Sequence, residues 1–114
     1  MLKHITIRPA TGTWVIRAGG AVLGESSRAL ELTEGDMPFV VYFPREDIAT
    51  AFLEPSAYRT QNPWLGEAAH YTIVSKSRSY ENAVWSYETP KEDGADLAGY
   101  LAFHVQDGIA VEQI

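Results

Sequence analysis

The chain has 114 residues, with nine lysines and arginines against fifteen acidic residues, a net charge of −6 and no cysteine. Hydrophobic residues at 46% and charged residues at 21% are ordinary for a globular domain and exclude a coiled coil, a disordered polymer or a low-complexity chain. The missing thiols exclude disulfides, thiolate zinc sites, iron–sulfur clusters and cysteine nucleophiles, and the negative charge opposes nonspecific attraction to nucleic acid or anionic lipid.

Short segments of alternating polarity, punctuated by turn residues, predict a mainly β chain forming one domain over residues 1–114. Ile5 and Ile7 alternate with Thr6 and Arg8 before Pro9, Thr11 and Gly12 break the segment. Trp14 to Ala18 and Ala21 to Leu23 flank Gly19-Gly20, a pair suited to a tight hairpin. Arg28 to Leu32 alternates again, a loop follows at Glu34 to Pro38, and Phe39 to Phe43 reads as a buried central strand. Pro44-Arg45-Glu46-Asp47 suits a helix first turn, because the fixed proline φ and the two acids match a helix N-terminus. Ile48, Ala51 and Phe52 continue at helical spacing until Pro55 forces Glu54 out of the α region, which predicts one short helix near residues 45–53. Further strands are expected at Tyr58 to Gln61, about Ala68 to Val74 and Ala83 to Glu88, with a turn at Asn62 to Gly66 and loops at Lys76 to Ser79 and Thr89 to Ala95. In the last strand Ala83, Trp85 and Tyr87 share a face. Gly99 to Val105 and Ile109 to Val111 flank Gln106-Asp107-Gly108, which predicts a terminal hairpin.

Few patterns carry chemistry. Gly24-Glu25-Ser26-Ser27-Arg28 lacks the second glycine of a nucleophile elbow, and Gly19 to Gly24 has neither the lysine nor the helix of a phosphate-binding loop. His4, His70 and His104 are far apart in the chain and match no metal-ligand spacing, so the chain is expected to be metal-free and to use no cofactor. Glu46 and Asp47 beside Arg45 offer an acid–base pair, against the simpler reading of an acidic helix cap. Tyr42, Trp64, Tyr71, Trp85 and Tyr87 lie on or beside strands, where core packing competes with the lining of a flat apolar pocket.

Tyr42-Phe43-Pro44-Arg45-Glu46-Asp47-Ile48 resembles the Y-F-P-R-E-D-V signature of the bacterial DUF427 family, a domain of unknown function. Ala29-Leu30-Glu31-Leu32, Leu53-Glu54-Pro55-Ser56, Ala83-Val84-Trp85-Ser86-Tyr87 and Gly99-Tyr100-Leu101-Ala102-Phe103 support it in order along nearly the whole chain. The segment Thr60-Gln61-Asn62-Pro63-Trp64-Leu65-Gly66 departs from the family's T-x-C-P-Y-K-G, losing the cysteine and the lysine. The resemblance implies an Mss4-like, β-tent fold, in which antiparallel sheets meet around a cleft. The zinc and the catalytic cysteine of the wider relatives have no counterpart in a cysteine-free chain. A nucleotidyltransferase label attached to the family calls for a Gly-Ser turn and an Asp-x-Asp pair, and neither occurs.

The function expected is a small-molecule-binding domain whose cleft is lined by Tyr42, Trp64, Trp85 and Tyr87, with Arg45 and His70 as polar contacts. Aromatic walls and an arginine favour a planar or anionic ligand. The alternatives are an enzyme using Glu46 or Asp47 with Arg45, and a homodimer paired through an edge strand. No secretion signal or membrane-spanning stretch is read in the sequence, so a cytoplasmic location is expected, with neither nucleic acid nor membrane as partner.

Overall fold

The computed structural model describes residues 4–114, and within them ten strands form three antiparallel sheets. The first sheet has the order β1 (Ile5–Pro9), β4 (Leu30–Glu34), β5 (Val40–Tyr42). In the second, β2 (Trp14–Ala18) lies between β10 (Ile109–Gln113) and β3 (Ala21–Ser26). The third runs β6 (Leu53–Asn62), β7 (Gly66–Val74), β8 (Ser79–Ser86), β9 (Ala102–Phe103). The chain is thus mainly β, as its alternating pattern predicts, and compatible with the sheet arrangement that the family resemblance implies. Among the described residues no helix is long and apolar enough to cross a membrane.

Local chemistry explains most of these elements. Gly19 and Gly20 both have positive φ, 59° and 82°, the requirement of the primed turn that joins β2 to β3, and Ala18 pairs with Ala21 across it. The expected short helix is realised as two single 3₁₀ turns, Arg45–Asp47 and Thr50–Phe52. Between them Ile48 is extended (φ −112°, ψ 141°) and bridges Gly24, so pairing to β3 interrupts the helix after one turn. Asp47 Oδ2 accepts a 2.6 Å bond from the Ser26 hydroxyl, and Arg28 donates to both Glu46 and Asp47. Those contacts give the acidic pair its structural place.

Three other expectations change. Phe39 to Phe43 is not a central strand: β5 is the edge of its sheet, Phe39 is exposed, and Phe43 leaves it to bridge Leu101. The terminal hairpin does not extend past its turn. Gln106 and Ile109 exchange backbone bonds there, but β9 pairs with β8 while β10 pairs with β2, so the two strands enter different sheets. The loop expected at 89–95 carries a 3₁₀ segment, Glu92–Leu97, anchored by fully buried Leu97.

Asn82, with φ 53°, sits where the β7–β8 register shifts between Tyr71 and Ile73, a bulge that leaves Tyr80, Ala83 and Val84 all buried. One apolar cluster gathers Ile16, Phe43, Ile73, Val84, Leu101 and Phe103. A second unites Ile5, Leu32, Tyr42, Leu65, Tyr87 and Leu97, and it borders the site described next.

Candidate functional site

A cavity of about 410 Å³ opens beside this second cluster. The first sheet contributes Leu32, Glu34, Val40 and Tyr42, and the loop before β5 adds Met37 and Pro38. The third sheet contributes Tyr58 and Thr60 from β6, His70 from β7 and Trp85 from β8, while Leu65, Tyr87 and His104 follow or precede its strands.

Strand alternation decides which side chains arrive there. His70 pairs directly with Trp85 across β7 and β8, so the two project from the same face of the sheet. Trp85 in turn pairs with Ala102 on β9, and the chain then brings His104 against the indole, with ring centroids 4.4 Å apart. Tyr42 approaches from the first sheet: its ring meets Trp85 edge-on at 6.1 Å, and its hydroxyl accepts a 3.0 Å bond from Trp85 Nε1. Tyr58 meets His70 edge-on at 4.7 Å.

The ionisable groups are set by burial. His70 is 4% exposed, and its Nδ1 is buried without a hydrogen-bond partner. Burial lowers its pKa below the ordinary histidine range and Arg59 adds to this, while the carbonyls of Ala68 and Tyr58 work in the opposite direction. His104 is lowered too, by burial first and then by His70. The Tyr42 and Tyr87 hydroxyls are raised by burial, with Glu34 pushing Tyr87 further, so both stay neutral. Glu34 is held by Asn62 Nδ2, which donates to Oε1 at 3.2 Å, and its Oε2 lies 3.6 Å from His4 Nε2.

These lowered histidines predict a pH dependence with a definite sign. The unfolded chain takes up protons on His70 and His104 near pH 6.5, whereas the folded chain resists them. Stability is therefore full above that pH and falls as the medium is acidified below it, before Asp47, lowered mainly by its Ser26 bond, begins to protonate at still lower pH. Thermal melts at pH 7.5 and 5.5 should show a drop in Tm that is clearly smaller in His70→Gln. Equal drops in both proteins would remove His70 from the account.

The structure brings together Tyr42, His70, Trp85 and Tyr87, four of the six residues named from sequence. The other two stand elsewhere. Tyr71 follows His70 and so projects from the opposite face, and Arg45 lies on that side, 5.5 Å over the Tyr71 ring. Arg45 donates to Gly99 O and Glu88 Oε2 at 3.1 Å each, and Glu88 also accepts from the Tyr71 hydroxyl at 2.6 Å. Trp64 sits in the 62–66 turn, where Asn62 Oδ1 accepts from the Trp64 and Leu65 amides, and its ring stacks on His4 at 3.7 Å. Glu46 and Asp47 do not line the cavity either. Tyr58, Thr60, His104 and Glu34 escaped the sequence reading. Only His104 left a usable trace, three residues past the Leu101 of the Gly99–Phe103 segment, on a strand that had to pair near Trp85.

A second cavity of about 390 Å³ lies on the other side of Trp85 and His104, between Trp14, Phe39, Val41, Phe103 and Val111. Among the described residues, none that line it is a carboxylate, lysine or arginine. Among the described residues no three histidines or acids gather in a way that could hold a metal ion.

Comparison with known proteins agrees with the residues that carry the resemblance. The model of the domain of unknown function DUF427 matches residues 6–113, nearly the whole chain, and the chain belongs to that family. No curated protein matches it.

Proposed function

We propose that this domain binds a small organic molecule in the cavity between the first and third sheets, in the cytoplasm and without a metal or cofactor. The observation that carries the reading is the meeting of Tyr42, Trp85 and Tyr87 with His70 and Glu34 around one cavity between two sheets. Aromatic and aliphatic side chains form most of its wall, and Glu34, Thr60, His70 and His104 are the polar members. The volume falls within the usual span of about 300–1,000 Å³ for small-molecule sites, and convergent polar groups among aromatic walls are their usual composition.

The test is a fragment screen read by thermal shift and by the indole N–H resonance of Trp85. A binder present at about one hundred times its Kd should stabilise the protein by about 2.7 kcal/mol. It should move the Trp85 resonance more than those of Trp14 and Trp64, and Trp85→Phe should weaken it. A screen of several hundred compounds with no hit that perturbs Trp85 would sink the reading.

A further inference from the structure

We infer that the cavity is selective for a small organic cation, an alkylated or quaternary ammonium, rather than for a neutral or anionic molecule. The inference rests on the binding reading above and names the class of ligand.

Its basis is the charge census of the walls. Among the described residues Glu34 is the only one lining the cavity with a formal charge at neutral pH, and none of the lining residues is a lysine or arginine. Arg45, the cation expected from the sequence to favour an anionic ligand, is engaged with Glu88 and Gly99 on the opposite face of the sheet. The two lining histidines do not supply positive charge, since burial holds both toward the neutral form. Glu34 is oriented rather than free, because Asn62 fixes one oxygen and His4 Nε2 lies 3.6 Å from the other, and its side chain is only 33% exposed, so water screens it incompletely. The rings of Tyr42, Tyr58, Trp85 and Tyr87 line the same cavity.

Aromatic rings around a carboxylate solvate a diffuse cation well. The ring quadrupole attracts the charge, and the alkyl groups remove apolar surface from water at the same time. A compact inorganic ion is a poor fit, because no three ligating side chains converge among the described residues. An anion would meet Glu34 with no lysine or arginine among the described lining residues to offset the repulsion, and the net charge of −6 would slow its approach. The neighbouring cavity has aromatic walls without a carboxylate and serves as an internal control for simple apolar binding.

The experiment compares three probes of nearly the same shape on the intact protein by calorimetry and by the Trp85 indole resonance. They are choline, its neutral isostere 3,3-dimethylbutan-1-ol, and the anion 3,3-dimethylbutanoate. The expected result is that choline binds about tenfold or more tighter than the neutral isostere, that the anion does not bind, and that Glu34→Gln removes most of the difference. The glutamine keeps an oxygen for Asn62, so the cavity walls should persist. Equal binding of choline and the alcohol, preference for the anion, or an undiminished preference in Glu34→Gln would each overturn cation selectivity. Those results would leave the binding reading standing whenever any probe or screened fragment moves Trp85. An empty fragment screen, in contrast, fails the binding reading itself.

Discussion

Phe43→Ala should cost about 3–5 kcal/mol of folding stability, a large share of the roughly 5–15 kcal/mol that holds a domain of this size together. Phe43 is completely buried, meets Phe103 edge-on at 5.9 Å, and belongs to the larger apolar cluster with Ile16, Ile73 and Leu101. Its backbone exchanges two hydrogen bonds with Leu101, 2.8 and 2.9 Å, so the ring is held where β5 hands the chain from the first sheet toward the third. The surroundings therefore cannot collapse freely into the space left by the ring, and the cavity term adds to the lost transfer energy. Urea unfolding should show a midpoint far below that of the parent with an unchanged slope, while Phe43→Leu should lose about 1.5 kcal/mol or less. A loss under 1 kcal/mol in the alanine variant would mean that the cluster repacks and that Phe43 is no keystone.

Gly24→Ala is the second large effect, and its origin is opposite, too much matter rather than too little. Gly24 lies in β3 where Ile48 bridges it, and a methyl group there would collide with the Asp47 carbonyl oxygen and come within 2.6 Å of Ile48 Cδ1. The obstacle is backbone, which cannot rotate away. Three contacts tie β3 to the 47–49 segment: the bridge, the Ala49 amide to Leu23 O at 2.8 Å, and Ser26 to Asp47 at 2.6 Å. Relieving the clash must loosen some of them. We expect a loss of about 2–3 kcal/mol, seen as a Tm lowered by roughly 10 °C or more. Gly20→Ala makes a useful comparison: its positive φ of 82° strains an alanine, yet nothing lies within 4 Å, so only a backbone cost applies. If the two variants melt together, close approach at Gly24 is not the cause.

The legible part of this protein was whatever local chemistry dictates. Alternation exposed the strands, Gly19-Gly20 gave its turn exactly where two positive φ values occur, and the shared face of Trp85 and Tyr87 brought both to one cavity. What stayed hidden depends on partners distant in the chain. Arg45 is three residues from Tyr42, and proximity in sequence made it a neighbour of the aromatic wall. The chain turns at Pro44, however, and Arg45 reaches across to Gly99 and Glu88, beyond the opposite face of β7. Glu34 read as a loop acid because nothing local shows that Asn62 will grip it. The helix expected at 45–53 failed for the same reason: propensity favoured it, and a bridge to Gly24, more than twenty positions back, broke it.

The pairing of β10 with β2 also governs the order in which the molecule can assemble. Val111 meets Ile16, and Gln113 meets Trp14, so the second sheet joins segments from opposite ends of the chain. During synthesis β2 and β3 emerge early and can close their hairpin, but the far edge of β2 keeps its unpaired amides until residue 113 has cleared the ribosome. Closing so long a loop demands entropy before any bond repays it, which makes this step slow and places it late. The nascent protein thus carries an open strand edge from the synthesis of β2 until β10 is made, an interval in which shielding of that edge limits aggregation.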